Sequence, residues 1–111
     1  MKGISETAFA TQVESLLEIF GWRWIHLRPA WSEKGWRTPI RGGDPDGFKG
    51  KGFPDYFAVR LPRLLFAELK DEYSKPRPEQ EAWLNDLKGC PTVEVYLWRP
   101  GQIEEAMEVL R

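Results

Sequence analysis

The chain has 111 residues, of which 41% are apolar, and its formal net charge is −1. This length fits one domain with an apolar core, and the sequence contains neither an apolar run long enough to span a membrane nor a signal peptide. The single cysteine, Cys90, excludes an internal disulfide and a zinc–cysteine site. We therefore expect a cytoplasmic protein with one domain over residues 1–111, in which any metal site uses oxygen ligands, with or without His26.

The first predicted elements are a helix and a strand. Ser5 is a typical N-cap, and apolar residues follow at helical spacing to about Phe20, after which Gly21 ends the helix. Residues 22–28 are rich in aromatic and β-branched side chains and predict a strand. Residues 29–54 contain many of the glycines and prolines of the chain and show little periodicity. Such a long connection is usually functional or mobile, and we expect an extended loop there.

The second half of the chain predicts a hairpin, a helix, a strand and a final helix. The hairpin consists of residues 55–61 and 64–70, joined by a tight turn. Pro78 suits the first turn of a helix that runs to about residue 88. Residues 92–98 predict a strand, and a last helix ends at Leu110. The element order α-β-β-β-α-β-α predicts an α/β fold.

Basic residues are concentrated in one part of the chain. Residues 23–51 include seven basic residues and three acidic ones, whereas the remainder is net acidic. A basic segment beside clustered carboxylates suits a protein that holds a polyanion and a metal ion together, although a solvated loop without a partner explains the charges equally well. The candidate nucleic-acid contacts are His26, Arg28, Lys34, Arg37, Arg41, Lys49 and Lys51. A structural hydrogen bond is the alternative role for His26.

Two carboxylates and a lysine are predicted to meet at the hairpin. Side chains alternate along a strand, so Glu68 and Lys70 share a face, and antiparallel pairing brings Asp55 close to both. Phosphodiester hydrolysis needs such an arrangement, because carboxylates bind Mg²⁺, the ion activates water, and a lysine stabilises the transition state. A solvent-exposed Glu-x-Lys pair without a function is the alternative. A second Pro-Asp, at Asp46, leads into no strand and predicts a turn.

Several segments together resemble one nuclease family. Pro54-Asp55 followed by Glu68-Leu69-Lys70 is similar to the signature of the PD-(D/E)XK superfamily. The segments Phe-Gly-Trp, Gly-Phe-Pro-Asp, Pro-Glu-Gln-Glu-Ala-Trp-Leu and Val-Tyr-Leu-Trp-Arg-Pro resemble its VRR-NUC branch, which includes stand-alone phage and bacterial members. The resemblance covers nearly the whole chain and implies a restriction-endonuclease-like core, with a central mixed sheet flanked by helices. The basic loop at about 29–54 departs from it, since a shorter connection is expected there.

The resemblance also implies roles for individual residues. Asp55 and Glu68 bind the metal together with the backbone carbonyl of Leu69, and Lys70 positions the attacking water. Gln80 lies on the inward face of the second predicted helix, where the family carries a glutamine, and this implies a role at the site. A hydrogen bond at the start of that helix is the alternative for Gln80.

A third carboxylate on the first helix is implied as well, because nucleases of the superfamily often carry one there. Helical residues turn by about 100° each, which places Glu6 in the apolar stripe, Glu14 well off it and Glu18 nearly opposite. We therefore expect Glu6 to be the further metal ligand and Glu14 to lie outside the site. The alternative is that Glu6 only favours the helix start through its negative charge.

These observations give one functional hypothesis and two alternatives. The hypothesis is a DNA endonuclease that depends on Mg²⁺, with Mn²⁺ able to substitute, and with selectivity for branched, junction or flap DNA as a further expectation. We expect it in the cytoplasm of a bacterial cell or a phage-infected host. Related junction-cleaving nucleases act as homodimers, which favours a homodimer. The alternatives are a non-catalytic nucleic-acid-binding or accessory module on the same fold and a generic α/β interaction domain.

Overall fold

Three helices and six strands make up the computed structural model, which describes residues 5–27, 30–33, 35–37 and 41–111. In chain order the elements are α1 (Glu6–Ile19), β1 (Arg23–His26), β2 (Ala30–Ser32), β3 (Gly35–Arg37), β4 (Tyr56–Arg60), β5 (Arg63–Leu69), α2 (Pro78–Lys88), β6 (Glu94–Trp98) and α3 (Ile103–Leu110). A short 3-10 turn, Pro100–Gln102, leads into α3. No helix of the described ranges is long and apolar enough to cross a membrane.

The main sheet has the strand order β1-β4-β5-β6. The first three strands pair antiparallel, and β6 pairs parallel to β5, so the sheet is mixed as predicted. A parallel neighbour requires a crossover connection, and α2 lies in the connection between β5 and β6. Because β5 is central and covered on both faces, five consecutive residues from Leu65 to Leu69 are buried.

Helices cover both faces of the sheet. On one face α1 and α3 pack against each other and against the strands, and the buried residues of that core are Phe9, Val13, Leu17, Trp22, Tyr56, Ala58, Leu65, Ala67, Leu69, Trp98, Ala106 and Leu110. On the other face Trp83 of α2 meets Phe53, which in turn meets Phe66 of β5, with ring centroids 5.0 and 5.7 Å apart. The sheet is therefore the middle of three layers, as the α/β prediction requires.

The boundaries of α1 follow from local chemistry. The Ser5 hydroxyl accepts a hydrogen bond from the Ala8 amide at 3.1 Å, which confirms the predicted N-cap. Gly21 has φ +75°, a left-handed conformation that glycine adopts without strain and that ends the helix. The helix and strand limits otherwise differ from the predicted ones by one or two residues.

The segment 29–54 differs from the prediction. We expected a loop without regular structure, but β2 and β3 pair antiparallel in a small separate sheet. Strands of three residues are too short to produce a recognisable alternation, so only their pairing reveals them. Further along, the Asp44 carboxylate accepts hydrogen bonds from the amides of Phe48 and Gly50 at 2.9 and 3.1 Å. Asp46 lies exposed in a turn, as the sequence predicted.

Candidate active site

A cleft of about 780 Å³ opens at one end of the main sheet, where β4 begins and β5 ends. It lies between α1 and the start of α2, so both helical layers contribute side chains to its walls. The lining residues are Glu6, Thr7, Ala10, Thr11, Glu14, His26, Asp55, Tyr56, Glu68, Leu69, Lys70, Lys75, Arg77 and Gln80. The structure thus brings the two strands of the predicted motif and the predicted Gln80 to one cavity.

The Gly-Phe-Pro-Asp segment fixes Asp55 at the mouth of this cleft. Gly52 has φ +88°, and a Cβ atom there would lie 2.5 Å from the backbone carbonyl of Glu79 in α2. Only glycine allows so close an approach. Phe53 then packs against α2 and β5 through its ring contacts, and Pro54 is fully buried. The contacts of Gly52, Phe53 and Pro54 therefore fix the backbone directly before Asp55 and the start of β4.

Asp55 and Glu68 form the centre of the site. An Asp55 carboxylate oxygen accepts a hydrogen bond from the backbone amide of Leu69 at 3.0 Å, which links the beginning of β4 to the end of β5. Glu68 is only 2% exposed. Its Oε1 accepts from the Gln80 amide at 3.1 Å, whereas its Oε2 is buried with no hydrogen-bond partner among the described residues. A buried carboxylate oxygen without a donor is costly, and a ligand such as a cation would compensate for it.

The electrostatics of Asp55 and Glu68 also favour the binding of a positive charge in the cleft. Burial and, next, the negative charge of Asp55 together raise the pKa of Glu68 to about 8, although the positive charge of Lys70 opposes both. Burial likewise raises the pKa of Asp55, against the Leu69 amide and the nearby His26 and Lys70. Two neighbouring carboxylates in a dry site resist ionising together, so a proton or a metal ion stabilises the pair.

Gln80 makes the predicted hydrogen bond at the helix start and also contacts Glu68, so its geometry fits both roles that the sequence left open. Its side-chain carbonyl accepts from the Arg77 backbone amide at 2.9 Å, which is a hydrogen bond at the start of α2. Its amide group donates to Glu68 at the same time. With both ends of the side chain engaged and 7% exposure, Gln80 holds the Glu68 carboxylate in one orientation.

Three cations line the cleft. Lys70, predicted from the motif, follows β5, where its backbone amide donates to the Trp98 carbonyl at 3.0 Å. Lys75 and Arg77 are exposed on the connection to α2 and were not among the predicted nucleic-acid contacts. The signal available in the sequence was their position between Lys70 and the helix start at Pro78.

The connection that carries Lys75 and Arg77 has a defined shape. Asp71 accepts hydrogen bonds from the amides of Tyr73 and Ser74 and from the Ser74 hydroxyl, at 2.7 to 2.9 Å. These bonds hold the pKa of Asp71 down at about 2. The Arg99 guanidinium also donates to the Asp71 carbonyl at 2.6 Å, which ties the connection to the end of β6. The two cations therefore follow a well-ordered turn.

The two carboxylates of α1 lie differently from the prediction. Glu6 is exposed rather than buried in the apolar stripe, but it lines the cleft, where partial burial together with the charge of Asp55 raises its pKa. Glu14, predicted to lie outside the site, also lines the cleft, where it contacts His26 and the Tyr56 hydroxyl. That prediction was wrong because the cleft runs along the side of α1, beside its buried stripe. Thr7 and Thr11 also line the cleft, and they lie at helical spacing from Glu14. This spacing was the signal in the sequence that the three side chains share one side of α1.

His26 lies within the cleft rather than on a separate basic surface. Its ring stacks on Tyr56 with centroids 4.1 Å apart, and its Nδ1 lies 3.1 Å from a Glu14 oxygen. Of the other predicted nucleic-acid contacts, Arg41, Lys49 and Lys51 are exposed and do not line the cleft. Arg28, Lys34 and the side chain of Arg37 lie outside the described residues.

No described group of three or more histidine, cysteine, aspartate or glutamate side chains is arranged to hold a metal ion. Glu6 therefore lines the same cleft as Asp55 and Glu68 without completing a three-carboxylate cluster. A metal at this site would take two side-chain ligands, and backbone carbonyl, water or substrate oxygens would complete its coordination, as is usual for Mg²⁺.

Comparison with known proteins identifies the fold. No protein-family model matches the chain, and no curated protein matches it. A solved structure described as a VRR_NUC domain is similar to it, with a TM-score of 0.62 and 20% sequence identity over 93% of this chain and 94% of that one. The resemblance identified from the Pro-Asp and Glu-Leu-Lys segments is thus confirmed at the level of the fold: the chain has the fold of a VRR_NUC domain.

Proposed function

We propose that the protein is a Mg²⁺-dependent deoxyribonuclease that hydrolyses phosphodiester bonds. The observation that carries this proposal is a pair of neighbouring carboxylates, the buried Glu68 and the half-buried Asp55, in a cleft that also contains three cations. Such a pair costs stability unless it binds something positive, which is a signature of a functional site rather than of a structural one. The VRR_NUC fold supports the same class of activity.

The residues present fit a hard divalent cation. Asp55 and Glu68 would hold it, with the backbone carbonyl of Leu69 as a further oxygen ligand, and the unpartnered Oε2 of Glu68 fits this role. Bound there, Mg²⁺ or Mn²⁺ would neutralise charge on the phosphate and activate water. Glu6, at the rim of the same cleft, would add negative charge for a cation or a water molecule.

The protein's own residues orient these groups. The Leu69 amide holds Asp55, and Gln80 holds Glu68, so neither carboxylate has to reorganise when a ligand arrives. Lys70 follows Glu68 by two residues and lines the cleft. Its ammonium group would orient the attacking water and stabilise the negative charge that develops on the phosphate.

DNA binding would use cations at two distances from the carboxylates. Lys75 and Arg77 line the cleft and would hold phosphates next to the scissile one. The exposed Arg41, Lys49 and Lys51 lie on the basic loop and would contact the backbone farther away, together with Arg28, Lys34 and Arg37. Selectivity for branched, junction or flap DNA is part of the proposal, and a panel of labelled linear and branched DNAs of equal length tests it.

A metal titration tests the activity itself. The purified protein should convert supercoiled plasmid into nicked or linear product in Mg²⁺ or Mn²⁺ and should stop when a chelator is added. Ca²⁺ should support DNA binding without turnover, because it holds water less rigidly. Cleavage that persists in chelator would overturn the metal-dependent reaction. DNA binding without cleavage in any metal would instead support a non-catalytic nucleic-acid-binding module.

The expected homodimer stays a prediction, and so does the cytoplasmic location in a bacterial or phage-infected cell. Light scattering of the protein, alone and with junction DNA in Ca²⁺, measures the assembly directly. A monomeric mass under both conditions would contradict the homodimer and would also weaken the expectation of junction cleavage.

A further inference from the structure

Three side chains from three different elements meet on the α1 side of the cleft. They are Glu14 of α1, His26 of β1 and Tyr56 of β4. Glu14 Oε2 lies 3.1 Å from His26 Nδ1 and also accepts a hydrogen bond from the Tyr56 hydroxyl. The His26 and Tyr56 rings are stacked, with an interplanar angle of 19°. The imidazole is thus fixed by a carboxylate at one edge and by an aromatic ring on one face.

These contacts determine which ring nitrogen remains available. A carboxylate oxygen that already accepts from the Tyr56 hydroxyl can only accept from the histidine, so Nδ1 of His26 carries a proton and donates it to Glu14. The hydrogen bond at one ring nitrogen sets the role of the other. Within the described ranges no residue forms a hydrogen bond with Nε2. The free nitrogen belongs to a ring that is part of the cleft wall.

The His26 ring lies close enough to Asp55 to interact with its carboxylate electrostatically, and both side chains line the cleft. His26 on β1 is the direct partner of Tyr56 on β4, and Asp55 immediately precedes Tyr56. The pairing continues past this point, because the Leu27 amide donates to the Asp55 carbonyl at 2.9 Å. A phosphate held at the carboxylates would therefore lie next to the imidazole.

We propose that His26 contacts the substrate phosphodiester through Nε2, and that Glu14 is the positioning residue that presents the ring for this contact. The inference rests on the proposed nuclease function and adds a specific contact to it. In the complex the ring lies between two acceptors, the Glu14 carboxylate and a phosphate oxygen. Both ring nitrogens then donate, one to the carboxylate and one to the phosphate.

A purely structural link between α1 and the sheet does not account for this arrangement. Phe9, Val13 and Leu17 are each at most 1% exposed and already attach α1 to the core. The side chains of His26 and Glu14 are 20% and 32% exposed and lie at the cleft. Substitution of either residue should therefore change substrate contact more than stability.

Nuclear magnetic resonance tests the contact without relying on cleavage. The chain contains a single histidine, so the imidazole nitrogen signals are assigned without ambiguity. The free protein should show a single tautomer with the proton on Nδ1. A short duplex added in Ca²⁺, which holds DNA uncleaved, should shift the Nε2 signal because this nitrogen gains a phosphate partner, while Nδ1 changes less. An Nε2 signal that does not move at saturating DNA overturns the proposal.

Variants separate positioning from stability. Glu14→Gln should remove the single-tautomer signature, because a glutamine side chain can either accept from the ring or donate to it. The matched control is Glu18→Gln, one helical turn further along α1, where the exposed Glu18 carboxylate accepts from the Trp24 ring nitrogen at 2.9 Å. The control should leave the histidine spectrum as it is in the wild type. Equal spectra for Glu14→Gln and the wild type would overturn the positioning role.

Kinetics provide the second measurement. His26→Ala should slow cleavage of bound DNA about tenfold to a hundredfold, the usual effect of losing one hydrogen bond to a charged group. Imidazole added to the buffer should restore part of the rate, which it would not do if the variant were merely less folded. A wild-type rate for His26→Ala overturns the contact. A wild-type protein that does not cleave, yet shows the Nε2 shift with DNA, overturns the proposed function and supports the histidine contact.

Discussion

The two ends of the β4–β5 hairpin both contain charged side chains, and they differ in how those charges are satisfied. At the turn end, Arg63 donates twice to Glu94, at 2.6 and 2.7 Å, and once to the Val109 carbonyl at 2.9 Å. At the open end, the half-buried Asp55 and the buried Glu68 are two neighbouring carboxylates, and one Glu68 oxygen has no partner among the described residues.

The turn end is satisfied in several ways at once. Arg60 donates to the carbonyls of Phe20 and Leu110 at 2.9 Å, which are C-terminal groups of α1 and α3. Both guanidinium groups also lie over the Trp22 ring, 4.7 and 4.8 Å from its centroid. At this end, ion pairing and several hydrogen bonds to the arginines stabilise the fold. Two neighbouring carboxylates with incomplete hydrogen bonding leave the other end ready for a ligand. The contrast distinguishes structural charges from candidate functional ones in one hairpin.

The largest expected effect is the loss of DNA cleavage when Asp55 or Glu68 is substituted at the open end of the hairpin. Asp55→Ala and Glu68→Ala should each reduce the plasmid-cleavage rate by at least about a hundredfold, because each removes a proposed metal ligand. Lys70→Ala should do so while metal binding, measured by calorimetry, is largely retained. Asp46→Ala is the matched control on the other Pro-Asp and should cleave normally. An inactive Asp46→Ala beside an active Asp55→Ala would show that the site lies elsewhere.

At the satisfied end the effect should appear in stability. Arg63→Ala leaves Glu94 without its guanidinium partner and should lower the free energy of unfolding by about 2 kcal/mol, less than for a fully buried pair because both side chains are partly exposed. Denaturant unfolding measures this change. Leu61→Ala is the control, because Leu61 lies in the hairpin turn and is 89% exposed. Its free energy of unfolding should stay within about 0.5 kcal/mol of the wild-type value. Arg63→Ala with wild-type stability would remove the contrast between the two ends.

A substitution at the open end should have the opposite sign in stability. With a pKa of about 8, Glu68 has to take up a proton on folding at neutral pH when no metal is bound, and Glu68→Gln removes this cost. The glutamine side chain can still accept from Gln80 while donating to Asp55. In the absence of metal this variant should be more stable than wild type by about 1 kcal/mol, although it should not cleave DNA. Added Mg²⁺ should raise the melting temperature of the wild type more than that of the variant. A destabilised Glu68→Gln would show that the charge is compensated within the protein.

The smallest effect concerns the cations of the cleft wall. The logarithm of the DNA-binding constant falls linearly with the logarithm of the salt concentration. Lys75→Ala and Arg77→Ala should each make this slope less steep by about 0.9, since each phosphate contact releases about one counterion. The binding is measured in Ca²⁺ to prevent cleavage. Lys88→Ala, at the opposite end of α2 from Arg77, is the control with the same loss of charge. Equal slopes for all three variants would place the DNA away from the cleft.

The sequence by itself determined the features that depend on neighbours along the chain. The Ser5 cap requires an amide three residues away, and the shared face of Glu68 and Lys70 follows from the two-residue period of a strand. The start of α2 at Pro78 follows from the missing amide of proline. The pairing of Asp55 with the end of β5 also followed, because a tight turn joins the two strands and fixes their register.

Only the tertiary structure decided which helix side chains enter the cleft. Glu14 and Tyr56, which share a hydrogen bond, are 42 residues apart, and the angle at which α1 crosses the sheet brings them together. The periodicity of α1 identifies its buried stripe, but it does not show that a cleft borders that stripe and exposes Glu14 to it. The pairing of β2 with β3 escaped prediction because strands of three residues show no recognisable alternation. Lys75 and Arg77 lie next to a predicted helix start, but only the contacts of their connection with the end of β6 and with the cleft show where the two cations lie.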